Sequence, residues 1–256
     1  MTEILLLLAG FAGGALNSLA GGGSFIVFPA LLFAGVPPVL ANASNTYAAL
    51  PGYVSGAIGY WKAMAEHRHR LLVFGAIALI GGYLGAELLL VVPDAVFAMV
   101  VPWLMLFAVV LFAFGANVNR WLARTIKPSR ASRTTGAVVL FAMLALVCVY
   151  GGFFNAGLGI LLLAYLASAG MSDIHAMNGM KLTISSLVAL VAVVRFAISG
   201  AIDWYFGSIA LIGVVAGGYL AARLAHHIPT KLIRGAVIVY GAGMTFYFFI
   251  AAYSAA

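Results

Sequence analysis

Four polar residues that could bind an anion fall inside apolar segments of the sequence, at helical spacing. Asn42 and Asn45 lie near the start of one segment, and Asn178 and Lys181 near the start of another. Residues three apart share one face of a helix. A lysine ammonium at the centre of a membrane helix costs about 2.5 to 3.5 kcal/mol, so it usually faces a cavity or a partner. We expect the three amides and Lys181 to bind an anionic substrate; the alternative is that Lys181 reaches the cytoplasmic edge of the membrane.

A glycine-rich break predicts where such a site would be built. Gly21, Gly22 and Gly23 interrupt an apolar run, and the segment that follows, 24–35, has only 12 residues and begins at Ser24, which could cap it. A helix of that length covers roughly 18 Å of a hydrocarbon core about 30 Å thick. Non-helical backbone at membrane depth is tolerated where it lines a cavity, and exposed N–H groups at a helix start attract anions. Gly22, Gly23 and Ser24 are therefore candidate binding residues; the alternative is that the glycines serve close helix packing.

The second half of the chain carries a counterpart of this break, "NAGLG" at 155–159, before another short apolar segment. Paired interruptions in two related halves are the best pointer in a sequence to a transporter binding site.

Two further residues are candidates for the outer mouth of a pathway or for a gate. Arg195 lies fourteen residues after Lys181, roughly 21 Å along a helix, so the two cations cannot hold one small anion unless the helix bends. Its neighbours Ser199 and Asp203 favour a structural pair there. Pro51 lies inside an apolar segment and predicts a kink.

Composition defines the class of protein. Hydrophobic residues make up 65% of the 256 residues and charged residues 7%, which excludes a soluble domain and predicts a polytopic helical membrane protein. The net charge of +7 indicates basic cytoplasmic loops, since no basic stripe with interleaved aromatic residues indicates nucleic acid. His67 and His69 fall in a predicted loop, His226 and His227 in a predicted turn and His175 at a predicted helix start, so we expect no metal, no cofactor and no enzyme activity.

An internal repeat divides the chain. "GGYLGAELLLVVP" (81–93) returns as "GGYLAARLAHHIP" (217–229) at an offset of 136 residues. We infer two membrane repeats, 1–116 and 134–256, joined by a basic cytoplasmic linker, 117–133. Each repeat has five apolar segments. The segments are 4–20, 24–35, 38–60, 71–92 and 95–116 in the first repeat, and 134–151, 157–170, 173–199, 204–223 and 231–254 in the second.

The distribution of Lys and Arg predicts the orientation. If the basic linker is cytoplasmic, alternating crossings place 11 of the 13 basic residues inside and both termini outside the cytoplasm. An odd number of crossings in each repeat makes the repeats inverted, as in many secondary transporters. Whether the first two segments of each repeat span the membrane or re-enter it stays open, and either choice preserves the inversion.

The motifs resemble those of the sulfite exporter TauE/SafE family, also called the TSUP family of anion permeases. The resemblance covers essentially the whole chain and is strongest in "NSLAGGGSFIVFPALLFAGVPPVLANASNTYAALPGYVSGAIGYW" and "DIHAMNGMKLTISSLVALVAVVRFAISGAIDW". It implies export of small sulfur or carbon oxyanions, such as sulfite, sulfoacetate or thiosulfate, across a bacterial inner membrane. The break "NAGLG" is less glycine-rich than is typical of the family.

The sequence thus predicts an all-α secondary transporter that takes a small anion through the bilayer by alternating access. The alternatives are an anion channel with the same cavity and, less favoured, a membrane scaffold or an intramembrane enzyme. A homodimer is compatible with the sequence, as is a monomer.

Overall fold

A computed structural model shows an all-helical chain and describes residues 1–19, 22–125, 133–224 and 230–254. Each predicted apolar segment forms a helix. The helices are α1 (Thr2–Leu19), α2 (Ser24–Phe33), α3 (Pro38–Gly59), α4 (Leu71–Val91), α5 (Asp94–Thr125), α6 (Arg133–Phe153), α7 (Leu158–Ser168), α8 (Ile174–Ile198), α9 (Trp204–Leu224) and α10 (Thr230–Tyr253), with a 3₁₀ helix at Ala65–Arg70. The largest departure is α5, which continues nine residues beyond 116 into the predicted linker. Residues 126–132 of that linker lie outside the described part.

The helices have the length and surface of a multi-pass membrane protein. Within the described residues, five segments are long and apolar enough to cross a bilayer: Ala65–Val91, Asp94–Phe114, Ile174–Ile198, Trp204–Ala221 and Gly235–Tyr253. Large apolar side chains lie on the outside of the protein; Leu72 is 85% exposed and Ile198 is 77% exposed. Such a surface is stable in contact with lipid, and the prediction of a polytopic helical membrane protein is confirmed.

Left-handed glycines bound the short helix of each half. Gly22 (φ +92°) precedes α2 and Gly157 (φ +84°) precedes α7, while Gly35 (φ +87°) and Gly170 (φ +84°) follow them. Glycine adopts this conformation without the penalty that a Cβ brings. The N–H groups of Gly35 and Gly170 bond back to the last turn of their helices, which is the Schellman pattern of a helix end. Gly22 and Gly157 are 135 residues apart, as are Gly35 and Gly170. The two halves of the chain therefore share these backbone conformations as well as sequence motifs.

The short helix α2 turns back along α1 instead of continuing it. Gly13 of α1 lies against both Gly23 and Val27, so the first turn of α2 approaches the last third of α1. Asn45 of α3 bonds to Ser24 at the start of α2, which shows that α3 again runs back along α2. With 10 residues, α2 is about 15 Å long, which is about half the thickness of the hydrocarbon core. The helix is therefore too short to span a bilayer.

The fourth helix of each half packs against the other half of the chain. α9 packs most extensively on α1, and α4 on α6. Glycines of the repeated segments lie at these two contacts: Gly217 faces the backbone of Phe11, and Gly85 faces the carbonyl of Val149. The absence of a Cβ lets the two backbones approach closely, as is usual for small residues between membrane helices. At these two contacts the glycines therefore serve close helix packing.

Equivalent helices of the two halves cross in opposite directions. Gly56 of α3 lies against Leu182 of α8, and Tyr60, which directly follows α3, lies against Gly179, which is earlier in α8. α5 and α10 are likewise antiparallel. Val109 of α5 contacts Gly241, and the earlier Trp103 packs edge-to-face against the later Phe249. The two halves therefore have opposite orientations, as the sequence predicts.

These contacts divide the helices into two bundles. The first bundle contains α1, α2, α3 and α9, and the second bundle contains α4, α5, α6, α7 and α8 together with α10, which packs mainly on α5. The two bundles meet mainly where α3 crosses α8. Because α4 and α9 are exchanged, each bundle combines elements of both sequence repeats.

Candidate functional site

The main cavity lies between the two bundles. It holds about 560 Å³ of empty space, its mouth included. The first bundle contributes Asn17, Gly22, Ser24 and Tyr53, and the second bundle contributes Asn155, Ala156, Gly157, Gly159, Ile160, Leu163, Lys181, Leu182 and Ser185. Most of the lining comes from the second half of the chain, in and around the "NAGLG" break, although the sequence motifs point more strongly to the first half.

Lys181 brings a positive charge into this cavity. It lies in the third turn of α8, and its aliphatic stem passes 3.4 Å from where a Cβ on Gly159 would be. Its Nζ donates a hydrogen bond to Asn178 Oδ1 at 3.0 Å. In the described part of the chain, no carboxylate oxygen lies within 4 Å of this ammonium. Two of its three N–H groups can therefore serve a ligand, and the predicted pair of Asn178 and Lys181 is brought together.

The start of α7 adds further polar groups. Gly157 and Gly159 line the cavity at the N-terminal end of the helix, where the partial positive charge of the helix dipole lies. The Tyr150 hydroxyl fixes the break by donating to the Ala156 carbonyl at 2.7 Å. The site thus combines a cation, a helix start and neutral hydrogen-bonding groups, which together suit a small anion.

Asn155 is a lining residue that sequence reasoning did not single out. It is only 2% exposed, and its Oδ1 accepts a hydrogen bond from the Tyr53 hydroxyl at 2.5 Å. Its Nδ2 is buried and has no partner within the described residues. The one feature near Asn155 in the sequence that could have indicated its role is its position as the first residue of the "NAGLG" break. Its partner Tyr53 could not be inferred, because it is 102 residues away in sequence.

A smaller pocket, with room for about one water molecule, adjoins the main cavity. Asn17 and Ser24 line both cavities. Gly23 and Asn45 line the smaller one, and Asn45 donates to Ser24 Oγ at 3.1 Å. Asn45 occupies in the first repeat the position that Lys181 occupies in the second. The predicted set is therefore divided: Gly22 and Lys181 line the main cavity, Gly23 and Asn45 line the smaller one, and Ser24 lines both. Asn178 is not a lining residue of the main cavity and reaches it only through its hydrogen bond with Lys181.

Asn42 connects two helices. Its Nδ2 donates to the carbonyl of Phe153, the last residue of α6, at 2.8 Å, and its buried Oδ1 has no partner among the described residues. This bond crosses from the first bundle to the second. Pro51 lies inside α3, which continues past it to Gly59. A role for Asn42 in binding and for Pro51 in gating stays a prediction.

Arg195 makes a structural pair with a partner that the sequence did not suggest. It binds Glu87 of α4, while the nearby Asp203 accepts from the Phe206 amide and caps α9, and Ser199 bonds to the Phe196 carbonyl. Arg195 and Lys181 lie near opposite ends of α8. A function of Arg195 as a gate or outer mouth stays a prediction.

Metal chemistry finds no support in the described residues. They contain no group of three His, Cys, Asp or Glu side chains that could hold an ion. Three residues considered from the sequence, Gly21, His226 and His227, lie outside the described part.

The fold and the cavity define the class of this protein. Long apolar helices, inverted halves and a cationic cavity between two bundles are the construction of a multi-pass membrane transporter. The sequence profile of the family described as "Sulfite exporter TauE/SafE" matches residues 6–248. The chain belongs to this family.

Curated relatives agree with this assignment. The chain is 28% identical over 236 residues to "Probable membrane transporter protein ORF9" of Sinorhizobium sp., covering 91% of this chain and 87% of the relative. It is 27% identical over 245 residues to a "Probable membrane transporter protein" of Haemophilus influenzae, covering 94% and 92%. It is also 27% identical over 242 residues to "Probable membrane transporter protein YfcA" of Escherichia coli strain K12, covering 93% and 85%. No solved structure matches the chain significantly. The chain is a membrane transporter, in line with the prediction that it is not an enzyme.

Proposed function

We propose that this transporter exports small sulfur oxyanions, of the type of sulfite, sulfoacetate or thiosulfate, across a bacterial inner membrane. The observation that carries the proposal is the Lys181 ammonium, which faces the cavity between the bundles and has no carboxylate within 4 Å in the described part of the chain. A charge buried among membrane helices needs a counter-charge, and a bound anion would provide it. The family name agrees with a sulfur oxyanion as substrate.

The packing supports an alternating-access mechanism in which the two bundles move against each other. Within each bundle, glycine-mediated contacts such as those of Gly217 and Gly85 bring backbones together and resist sliding. Between the bundles, the cavity separates α3 from the α6–α7 break, and two hydrogen bonds cross at its edge, from Asn42 to Phe153 and from Tyr53 to Asn155. The moving bodies would thus be the exchanged bundles, not the two sequence repeats.

The position of the cavity supports export. Leu182, next to Lys181, packs against Gly56 in the last turn of α3, just before the basic loop Lys62–Arg70. If that loop is cytoplasmic and both termini lie outside, as the Lys and Arg distribution predicts, the charged cavity lies near the cytoplasmic end of α3. An exporter must load its substrate from that side.

Counterflow in proteoliposomes tests the proposal. Vesicles that contain the purified protein are loaded with unlabelled sulfite, thiosulfate or sulfoacetate and diluted into buffer with ³⁵S-labelled sulfite; sulfate- and acetate-loaded vesicles and protein-free vesicles are the controls. We expect saturable uptake of label that a sulfur oxyanion on the inside accelerates. An unsaturable ohmic current without acceleration would instead identify an anion channel, and no flux of any of these anions would refute the proposal.

A further inference from the structure

We infer that Asn155 supplies a second ligand to the anion, beside Lys181, and that Tyr53 positions this ligand. The inference rests on the proposed function of the main cavity. It concerns two residues that belong to different halves of the chain and meet at the cavity wall.

The first observation is an unsatisfied donor. Asn155 is 2% exposed, and its Nδ2 has no hydrogen-bond partner within the described residues. Buried amide N–H groups are nearly always paired in folded proteins, because water cannot replace the missing partner. An unpaired donor in the wall of a cavity that also contains an ammonium is the arrangement expected where an anion completes the hydrogen bonding.

The second observation is the fixed orientation of the amide. The Tyr53 hydroxyl donates to Asn155 Oδ1 at 2.5 Å and thereby occupies the acceptor end of the side chain. The remaining group is the NH₂, which can donate to an anion but cannot accept from a cation or an amine. Without the phenol, the amide could rotate and present its oxygen to the anion. Tyr53 is therefore a positioning residue, and Asn155 is the ligand.

The third observation is the relation to Lys181. Gly159, whose missing Cβ makes room for the Lys181 stem, lies four residues after Asn155, in the first turn of α7. The ammonium and the amide therefore both line the main cavity, and the stem of Lys181 packs against the residue that follows the break between α6 and α7.

The experiment measures KM and maximal rate of ³⁵S-sulfite counterflow for Asn155→Asp and Tyr53→Phe. Asn155→Asp keeps the volume but replaces the donor by a carboxylate, so we expect KM to rise at least tenfold. Tyr53→Phe removes only the orienting hydroxyl, so we expect KM to rise about three- to tenfold. The maximal rate per folded molecule is measured alongside, because Tyr53→Phe also removes a hydrogen bond between the two bundles; the inference is tested by KM.

Tyr47→Phe is the matched control. Tyr47 lies on the same helix, and its hydroxyl approaches Ser208 Oγ at 3.5 Å instead of a cavity residue. We expect its KM to equal that of the wild type. A structural role of Tyr53 or Asn155 would lower the amount of folded protein and the maximal rate while leaving KM unchanged.

The outcomes separate the two proposals. No counterflow by the wild-type protein refutes the proposed function. Wild-type counterflow with a KM that changes less than twofold in Tyr53→Phe and Asn155→Asp overturns the present inference alone. If Asn155→Asp does not fold, Asn155→Ala, which removes the donor, replaces it: a raised KM supports the inference, and an unchanged KM overturns it.

Discussion

The guanidinium of Arg195 binds both carboxylate oxygens of Glu87, with Nε 2.5 Å from Oε1 and Nη2 3.1 Å from Oε2. The pair joins α8 to α4 within the second bundle, and the two side chains are 26% and 31% exposed. Two parallel charge-assisted bonds give the pair a defined geometry. Each charge neutralises the other, so Arg195 can remain between membrane helices without a substrate.

Removing one partner of this pair should destabilise the protein. In Glu87→Gln or Arg195→Gln, we expect a loss of stability, because one charge is left without its partner between membrane helices. The double variant should recover most of this loss because it leaves no lone charge. Melting followed by size-exclusion chromatography measures the effect. If a single variant instead raised KM tenfold at unchanged melting temperature, Arg195 would be a substrate ligand.

Lys181 should be required for transport and dispensable for folding. Replacing it by Ala or Gln removes the charge that faces the cavity, and a lost charge-assisted hydrogen bond of about 1.5 to 3 kcal/mol corresponds to a rise in KM of roughly 10- to 150-fold. We expect Lys181→Ala to abolish measurable transport at normal protein level, and Lys181→Arg to retain part of it. Counterflow per folded molecule checks this. Wild-type flux from Lys181→Ala would remove Lys181 from the site.

Much of the fold could be predicted because its signals are local. Apolar length and glycine or proline punctuation predicted the segment 173–199, and the helix found there is Ile174–Ile198. The left-handed glycines Gly22 and Gly157 belong to the two breaks that the sequence marks. The end of α5 differs because apolarity predicts where a helix leaves the membrane, whereas helical hydrogen bonding continues in water through 117–125.

The parts of the site that could not be predicted depend on contacts between residues that are distant in sequence. Tyr53 and Asn155 meet only because α3 passes the α6–α7 break, and neither residue has a local pattern that names the other. The same holds for Glu87 and Arg195, which are 108 residues apart, whereas Ser199 and Asp203 are closer in sequence to Arg195 and have other partners. Sequence reasoning identifies polar residues in apolar helices but does not show which of them meet.

A glycine that lies between the closely packed helices α4 and α6 should not be replaceable by alanine. In Gly85→Ala, the new methyl group would clash with the Val149 carbonyl, a backbone atom that cannot move without shifting α6. We expect a large loss of folded protein. Gly243→Ala is the control, since no heavy atom lies within 4 Å of its Cβ position, and helix propensity favours Ala by about 0.5 to 1 kcal/mol. Equal yields of both variants would argue against the close packing of α4 on α6.

Alanine substitutions at the two glycines that flank α7 should separate the effect of backbone strain on stability from an effect on substrate binding. Gly157 and Gly170 both have φ +84°, so an alanine at either position should cost about 1 to 2 kcal/mol of stability. Only Gly157 lines the main cavity, so Gly157→Ala should also raise KM. Melting temperatures and counterflow kinetics of the two variants test this. A KM that rises equally in Gly170→Ala would show that strain alone disturbs the site.

Cysteine accessibility tests the proposed orientation. In a Cys148→Ser background, single cysteines replace the exposed Glu66, in the basic loop before α4, or the exposed Ser199, at the end of α8. If the basic loops are cytoplasmic, a membrane-impermeant maleimide should label Ser199→Cys in intact cells and Glu66→Cys only after permeabilisation. The two positions should be on opposite sides, because α8 ends at the face where α9 begins and the loop at Glu66 connects α3 to α4 at the other. The reverse labelling pattern would place the mouth of the Lys181 cavity outside the cell and would contradict export as the direction of transport.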